Sequence, residues 1–342
     1  MDIQVQSGVF SFFSYIFAEY LPDCGNVRSI EVYYNRSLYR INWRFYGSDM
    51  KKENFQLLTS ENYAAVVEFN KAYPSVSCEW SLSNLLLYCD TYRWHTAVKD
   101  GRLWIASFQE QYLFYPKGSP IAPDEFTRIF RELAADEAGE WVCGDVPADF
   151  AAGSDCSMIC DPGEADYIYD LEHLASFRGS KLRKRHNQVR QFEREYEERY
   201  RVKNIEFDHL DLIINFARNQ SGSMWDSPSG TEEKLAFGRL KELWHNADAA
   251  LAGIMLEVDD VPVGFSIYSP LTADTVDVHF EKADHAYRGC GAKLTAALVE
   301  HLLDRKYRFM NREQDLNEPG LRRAKEALDP VRKLERALLR LV

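Results

Sequence analysis

Ionisable residues and glycines stand in this sequence at spacings that chemistry uses. At Arg288-Gly289-Cys290-Gly291-Ala292, two glycines precede an apolar-striped segment. Without Cβ atoms, Gly289 and Gly291 let backbone N–H groups approach an anion, and a helix starting near residue 291 adds the positive end of its dipole. A diphosphate needs that chemistry, although a plain strand-to-helix turn also uses glycine. Just upstream lie His279, Glu281 and Lys282 in a β-rich run. Alternation along a strand puts 279 and 281 on one face and Lys282 on the other. A glutamate with a burial-raised pKa takes a proton from a nucleophile directly or through water, which makes Glu281 the candidate general base. The structural alternative is an ion pair between Glu281 or Lys282 and a neighbouring strand.

Asn311, Arg312, Glu313 and Asp315 cluster where another strand-like run ends. Polar residues at strand ends line ligand crevices, and alternation puts Asn311 and Glu313 on a shared face. They suit an amino group or carboxylate of a substrate, or else serve as caps and ion pairs. Upstream, KLRKRHNQVRQF places Lys181, Lys184 and Arg185, then Gln188, along one side of a helix. Such a face binds phosphates or a substrate carboxylate, or is simply solvated. Trp225, on a Gly/Ser-rich stretch, reads as a lid or a surface aromatic.

Other chemistries find less support. There is no nucleophile-elbow pattern for a Ser-His-Asp hydrolase. Cys290 reads as a small residue that fits the glycine turn rather than as a nucleophile. The seven cysteines are odd in number and scattered, so no disulfide framework is legible and a reducing cytoplasm is expected. Cys156 and Cys160 with His173 lack the second pair of a zinc finger, and no metal is expected.

The elements that must position these residues follow from composition and periodicity. The chain has 342 residues, 46% of them hydrophobic, enough for two domains and sizeable cores. Its net charge of −12 repels nucleic-acid phosphate and anionic lipid over most of the surface. Residues 178–203 run against that trend, with ten Lys/Arg and four Asp/Glu. An apolar patch at Val9–Phe17 lacks the flanks of a signal peptide, and no run is long enough to span a membrane. Residues 29–46 suggest a hairpin around Asn35, and the role of residues 1–54 is not legible. A helix is expected within 59–73, a short one at SLSNLLLYCDTYRW, a hairpin around Asp100-Gly101, and a helix at DEFTRIFRELAADEAGE. Residues 144–165 mix Gly, Pro, Asp and Ser and read as a linker. Beyond it come a polar helix near 179–200, a strand near 202–208 and helices near 209–220 and 231–246. A three-stranded meander, an apolar-striped helix, a strand and a last helix ending at Pro330 complete the chain.

That final order, with Arg288 and Gly291 at the turn, resembles the GNAT acyltransferase fold. In that fold an Arg/Gln-x-x-Gly-x-Gly/Ala loop wraps the pyrophosphate of acyl-CoA; here Lys293 stands at the last position. More specifically, the phrases CEWSLSNLLLY (78–88), YIYDLEHLASFRGSKLRKRHNQVRQF (167–192), VHFEKADHAYRG (278–289) and NREQDLNEPGLRRAKEALDP (311–330) resemble a bacterial family. That family shares its fold with the C-terminal domain of phosphatidylglycerol lysyltransferase.

The resemblance implies an α/β (α+β) protein of two tandem GNAT-like units, with mixed, mostly antiparallel sheets flanked by helices. A degenerate unit spans 55–150 and a more complete one 165–342, after an N-terminal extension at 1–54. It implies an acyl- or aminoacyl-transferase acting on an amine or hydroxyl, with acyl-CoA or aminoacyl-tRNA as donor and a small-molecule or lipid-like acceptor. Glu281 would be the base, Tyr287 the acid for the leaving group, and Arg288, Gly289, Gly291 and Ala292 the donor-phosphate loop. His279, Asn311, Arg312, Glu313, Asp315, Lys181, Lys184 and Arg185 would hold substrate. The alternative is a non-catalytic ligand-binding or scaffolding protein on a decayed transferase fold.

Overall fold

The computed structural model describes residues 27–34, 37–44, 50–135, 139–147, 150 and 156–341. The Val9–Phe17 patch and Asn35 lie outside them. On either side of Asn35, β1 (Val27–Tyr34) and β2 (Ser37–Arg44) pair antiparallel as a two-stranded sheet.

The first unit follows with β3 (Gln56–Leu57), α1 (Ala64–Ala72), α2 (Leu82–Leu87) and α3 (Cys89–Tyr92). Strands β4 (His95–Lys99) and β5 (Arg102–Ser107) join through Asp100 and Gly101, both at the positive φ that a two-residue hairpin turn requires. Next come β6 (Tyr112–Phe114), β7 (Lys117–Gly118), α4 (Pro123–Ala135), β8 (Val142–Val146) and β9 (Cys156–Cys160). On α4 the helical spacing of Phe126, Ile129, Phe130 and Leu133 puts all four into the core with Trp104 and Trp141. The stretch expected as a linker, 144–165, is therefore partly sheet: it begins inside β8 and contains β9. Strand β9 lies at the sheet edge and is mostly exposed, so it lacks the apolar alternation that announces a strand.

The second unit opens with β10 (Asp166–Asp170), α5 (Leu171–Ser176), α6 (Ser180–Glu195), β11 (Tyr200–Asn204), α7 (Leu210–Ser221) and α8 (Pro228–Leu243). The meander β12 (Ala252–Val258), β13 (Val261–Pro270) and β14 (Thr275–Ala283) leads to α9 (Cys290–Asp304), β15 (Phe309–Asn311) and α10 (Pro319–Glu326). β16 (Arg332–Leu334) and β17 (Ala337–Leu341) end the chain. The sheet runs β11-β12-β13-β14-β15-β10-β16, antiparallel except for the parallel pair β14 and β15. Helices α6 and α9 cover one face through Leu182, Phe192, Leu294 and Leu298. The other face packs on α7 and α8 and, through Leu85 and Leu86 of α2, on the first unit. Trp225, read as a lid or surface aromatic, is buried 5.7 Å from Phe237 in that core.

The last strand leaves the unit in which the sequence places it. β17 inserts between β8 and β9 of the first sheet, antiparallel to both. At the crossing, Arg336 is buried and its guanidinium bonds to Asp166 of β10, to Ser77 and to the Glu164 carbonyl. It also pairs with Glu79 at 3.2 Å and Asp145 at 3.4 Å. Asp166 accepts further bonds from the Cys78 N–H and the Asn311 amide. One buried cation thus joins carboxylates of both units. Burial nonetheless pushes the Glu79 carboxyl up to about 7, against the pull of Arg336.

Candidate functional site

The site begins where two parallel strands separate. β14 and β15 pair from Thr275 with Phe309 to Asp277 with Asn311, and there β15 ends while β14 runs on to Ala283. Beyond that point His279 and Glu281 stand on one lip of a gap, and Arg312 and Glu313 on the other. Four residues singled out in the sequence are thereby brought together.

They do not share a face as alternation predicts. Phe280 pairs with Ile267 but Val278 pairs with Tyr268, so His279 is an extra residue, a β-bulge. The bulge inverts the parity of everything after it. Val276 and Val278 face α9, whereas Phe280 stacks on Phe237 of α8 at 4.3 Å and Lys282 pairs with Glu233 of α8 at 2.8 Å. His279 therefore faces the first unit and Glu281 faces α6. The expectation of a common face for 279 and 281 is corrected by this one inserted residue.

On the α6 side, Arg312 donates to Glu281 Oε1 at 2.5 Å, with both side chains less than a fifth exposed. Glu281 Oε2 is buried with no hydrogen-bond partner among the described residues. The Glu281 charge holds Arg312 above the usual guanidinium value, against burial, which lowers it. Arg185 of α6 faces the same pair; burial, then the Arg312 charge, pulls it below that value. It also lines a groove with Leu174, Leu182, Ala292 and Thr295 between α5, α6 and α9. Two guanidiniums against one carboxylate make this side suited to an anion.

On the side facing the first unit, His279 Nε2 lies 2.8 Å from Ser269 Oγ. Its Nδ1 lies 3.6 Å from both Asp277 Oδ2 and Glu313 Oε1. Burial, then the charges of Glu313 and Asp166, pushes the Asp277 carboxyl well above its usual range. Glu313 takes φ +57°, uncommon for a non-glycine residue, and accepts from Asn84 Nδ2 of α2 at 2.9 Å. Asn311 does share its face: it bonds Asp166 and the Val76 carbonyl and accepts the Glu313 N–H at 2.6 Å.

The glycine turn is arranged for packing. Gly289 sits at φ +85° as the N-cap of α9, where a Cβ would come within 2.4 Å of the Gln188 carbonyl of α6. Helix α6 thus lies directly on the turn, and Lys293, the departure from the GNAT pattern, reaches back to Glu193 of α6 at 2.6 Å. A Cβ on Gly291 would meet only Ala283 at 3.7 Å. Gly289→Ala should therefore cost about 2–4 kcal/mol, combining left-handed strain with overpacking. Gly291→Ala should raise stability by up to about 1 kcal/mol. Urea unfolding of both variants checks this; a neutral Gly289→Ala would remove the packing role.

Other sequence candidates lie elsewhere. Asp315 is fully buried and saturated, bidentate to Arg322 at 2.7 Å and bonded to the Tyr167 hydroxyl and the Asn317 N–H. The Arg322 bonds hold its carboxyl down at about 2, so it anchors α10 and has no acceptor left for substrate. Lys181 pairs with Asp329 at 2.8 Å, as does His173 at 3.1 Å, while Lys184 is exposed. Tyr287 packs on Tyr196 at the far end of α6 from Arg185, and Arg288 is exposed. Cys290 is buried, donates to the Val263 carbonyl, and burial pushes its thiol up to about 12, consistent with a small residue that fits.

Comparison with known proteins places this geometry. The family model described as "Phosphatidylglycerol lysyltransferase, C-terminal" matches residues 70–339. The chain belongs to that family. A conserved protein of unknown function from Bacteroides thetaiotaomicron is similar at 23% identity and TM-score 0.76, over 84% of this chain and 99% of that one. A C-terminal domain assigned to a lysylphosphatidylglycerol synthetase of Agrobacterium fabrum is similar at 14% identity and TM-score 0.55, covering 82% and 92%. The L-PGS of Bacillus licheniformis is similar at 15% identity and TM-score 0.53, covering 81% and 90%. A search of curated protein sequences returned no match. The fold is thus a mixed α/β architecture of two mostly antiparallel sheets flanked by helices, shared with these structures. No helix among the described residues is long and apolar enough to cross a membrane.

Several residues where the two sheets meet escaped the sequence reading. Asp277 stands two before His279, a period-2 pair of polar residues alternating with Val276, Val278 and Phe280, which is a readable signal. Glu79 and Asn84 lie inside one of the phrases that carry the resemblance, without a spacing that indicates chemistry. Asp166 and Arg336 are isolated in sequence, and only the strand exchange brings them together.

Proposed function

We propose that the chain is an aminoacyltransferase that takes its acyl group from an ester donor and passes it to a hydroxyl or amine in the gap between β14 and β15. The carrying observation is the parting of those strands, with a half-partnered carboxylate, Glu281, facing the guanidiniums of Arg312 and Arg185. Family membership supports aminoacyl transfer, the chemistry that the family's description names for lysine and phosphatidylglycerol. The lie of α6 on Gly289 favours aminoacyl-tRNA over acyl-CoA, because the turn that would wrap a CoA diphosphate already contacts a helix.

In this reading the acceptor oxygen or nitrogen attacks the ester carbonyl carbon, and its proton passes to Glu281 Oε2. Arg185 and Arg312 stabilise the charge developing on the carbonyl oxygen. The carbon–oxygen bond to the ribose then breaks, and Glu281 returns the proton to the ribose oxygen, so no second acid is required and Tyr287 is left to packing. The exposed Lys184 and Arg288 are available to donor phosphates.

The test supplies the purified chain with aminoacyl-tRNA carrying labelled amino acids, or with labelled acetyl-CoA, over vesicles containing phosphatidylglycerol or a panel of small amines. Label should move from the tRNA donor only. Movement from acetyl-CoA alone would overturn the donor, and movement from neither would leave a binding protein on a transferase fold.

A further inference from the structure

We propose that Asp277, His279 and Glu313 bind a divalent metal cation between the tips of β14 and β15. Each offers one ligand atom, and the three atoms lie within 4.8 Å of one another. His279 Nδ1 stands 3.6 Å from a carboxylate oxygen of each partner. That is too long for a hydrogen bond. Atoms 3.6 Å apart subtend about 110–120° at a cation ~2.1–2.2 Å from each, the angle and reach of first-row metal coordination.

The unpaired atoms point the same way. His279 is 8% exposed and Asp277 fully buried, yet His279 Nδ1 and both Asp277 oxygens have no partner at hydrogen-bond distance and angle among the described residues, Ser81 being the one hydroxyl that bears on Asp277 from outside that range. Buried polar atoms normally find partners, and His279 Nδ1 and Asp277 Oδ2 standing side by side without one is a costly arrangement unless something occupies the space between them.

The supporting contacts match those of a metal ligand set. When His279 Nε2–H donates to Ser269 Oγ, the Nδ1 lone pair is left for the metal, and Asn84 orients Glu313 from the first unit. One imidazole and two carboxylates suit Mn²⁺, Fe²⁺ or Zn²⁺. Three protein ligands leave coordination positions open on the side of Glu313, whose side chain is 26% exposed. The cation would be held whichever donor is used, since its ligands face the first unit and Glu281 faces α6.

The test uses Mn²⁺, which has little affinity for the chain's thiols. Chelator-treated full-length protein is titrated with MnCl₂, and free Mn²⁺ is counted by electron paramagnetic resonance. One Mn²⁺ per chain is expected, with affinity falling at least tenfold in Glu313→Gln and His279→Ala and ~10–100-fold in Asn84→Ala, which loses only an orienting contact. Weak binding to the acidic surface would be indifferent to these changes. Absence of saturable binding, or unchanged affinity in Glu313→Gln, overturns the site. Glu313 lies at its partly exposed end, so that variant decides the matter even if His279→Ala fails to fold.

Discussion

Replacing Arg336 with methionine is expected to destabilise the protein by about 3–5 kcal/mol, among the largest effects of any single substitution in the chain. Methionine keeps much of the volume but removes the cation that Asp166, Asp145 and Glu79 share across the two sheets. Those carboxylates retain their other donors, from Cys78, Asn311, Trp80 and Gln314, but they would stand in the interior without a counter-charge. The sign of the pH dependence follows. Glu79 already sits at about 7 when folded, above its unfolded value, so its native form binds the extra proton and its contribution to stability is lost as pH rises through that window. Without Arg336 the folded values of Glu79 and Asp166 rise further. The variant should therefore lose more stability than wild type between about pH 5 and pH 8 in urea titrations. A loss below about 1 kcal/mol at neutral pH, with no added pH dependence, would show that the carboxylates do not depend on this cation.

Arg336 also marks what local sequence reasoning reaches and what it does not. The β12–β13–β14 meander was legible because its residues alternate over long runs, and α4 and α9 because their apolar stripes repeat at helical spacing. β17 offers a short apolar run that fits either sheet, and the choice between them is made by partners nearly two hundred residues away at β8 and β9. Nothing local announces that crossing.

The site follows the same division. His279, Glu281, Arg312 and Glu313 were recognisable as polar residues in strand-like runs, and the structure gathers them at one gap. Their faces were misread because strict alternation fails at a single bulged residue, and the bulge is set by the register with β13. Asp315 was misassigned for a different reason: a buried aspartate tied to Arg322 looks, in sequence, like one waiting for substrate. Gly289 reads in sequence as a glycine that lets an anion approach the backbone, whereas the close approach it allows in the fold is to the Gln188 carbonyl.

In the proposed mechanism Glu281 is the base, and its replacement is expected to give the second large effect. Facing α6 rather than the first unit, its Oε1 is held by Arg312 while Oε2 is buried without a hydrogen-bond partner among the described residues. That arrangement fixes the carboxylate's orientation and leaves one oxygen to receive a proton. Glu281→Gln preserves size and a hydrogen bond to Arg312 but removes the base, and general-base contributions are typically ~10²–10⁴-fold. The expected result is a fall of that size in kcat with the best donor and acceptor found, and little change in donor KM. Arg185→Gln should also lower kcat and kcat/KM together, since in the proposed mechanism its guanidinium meets charge that develops only in the transition state. Melting curves of both variants separate these effects from unfolding, because the Glu281–Arg312 pair also links β14 to β15. A folded Glu281→Gln variant retaining more than about a third of wild-type kcat would remove Glu281 from the mechanism, since a base worth ~10² or more cannot be lost with so small an effect.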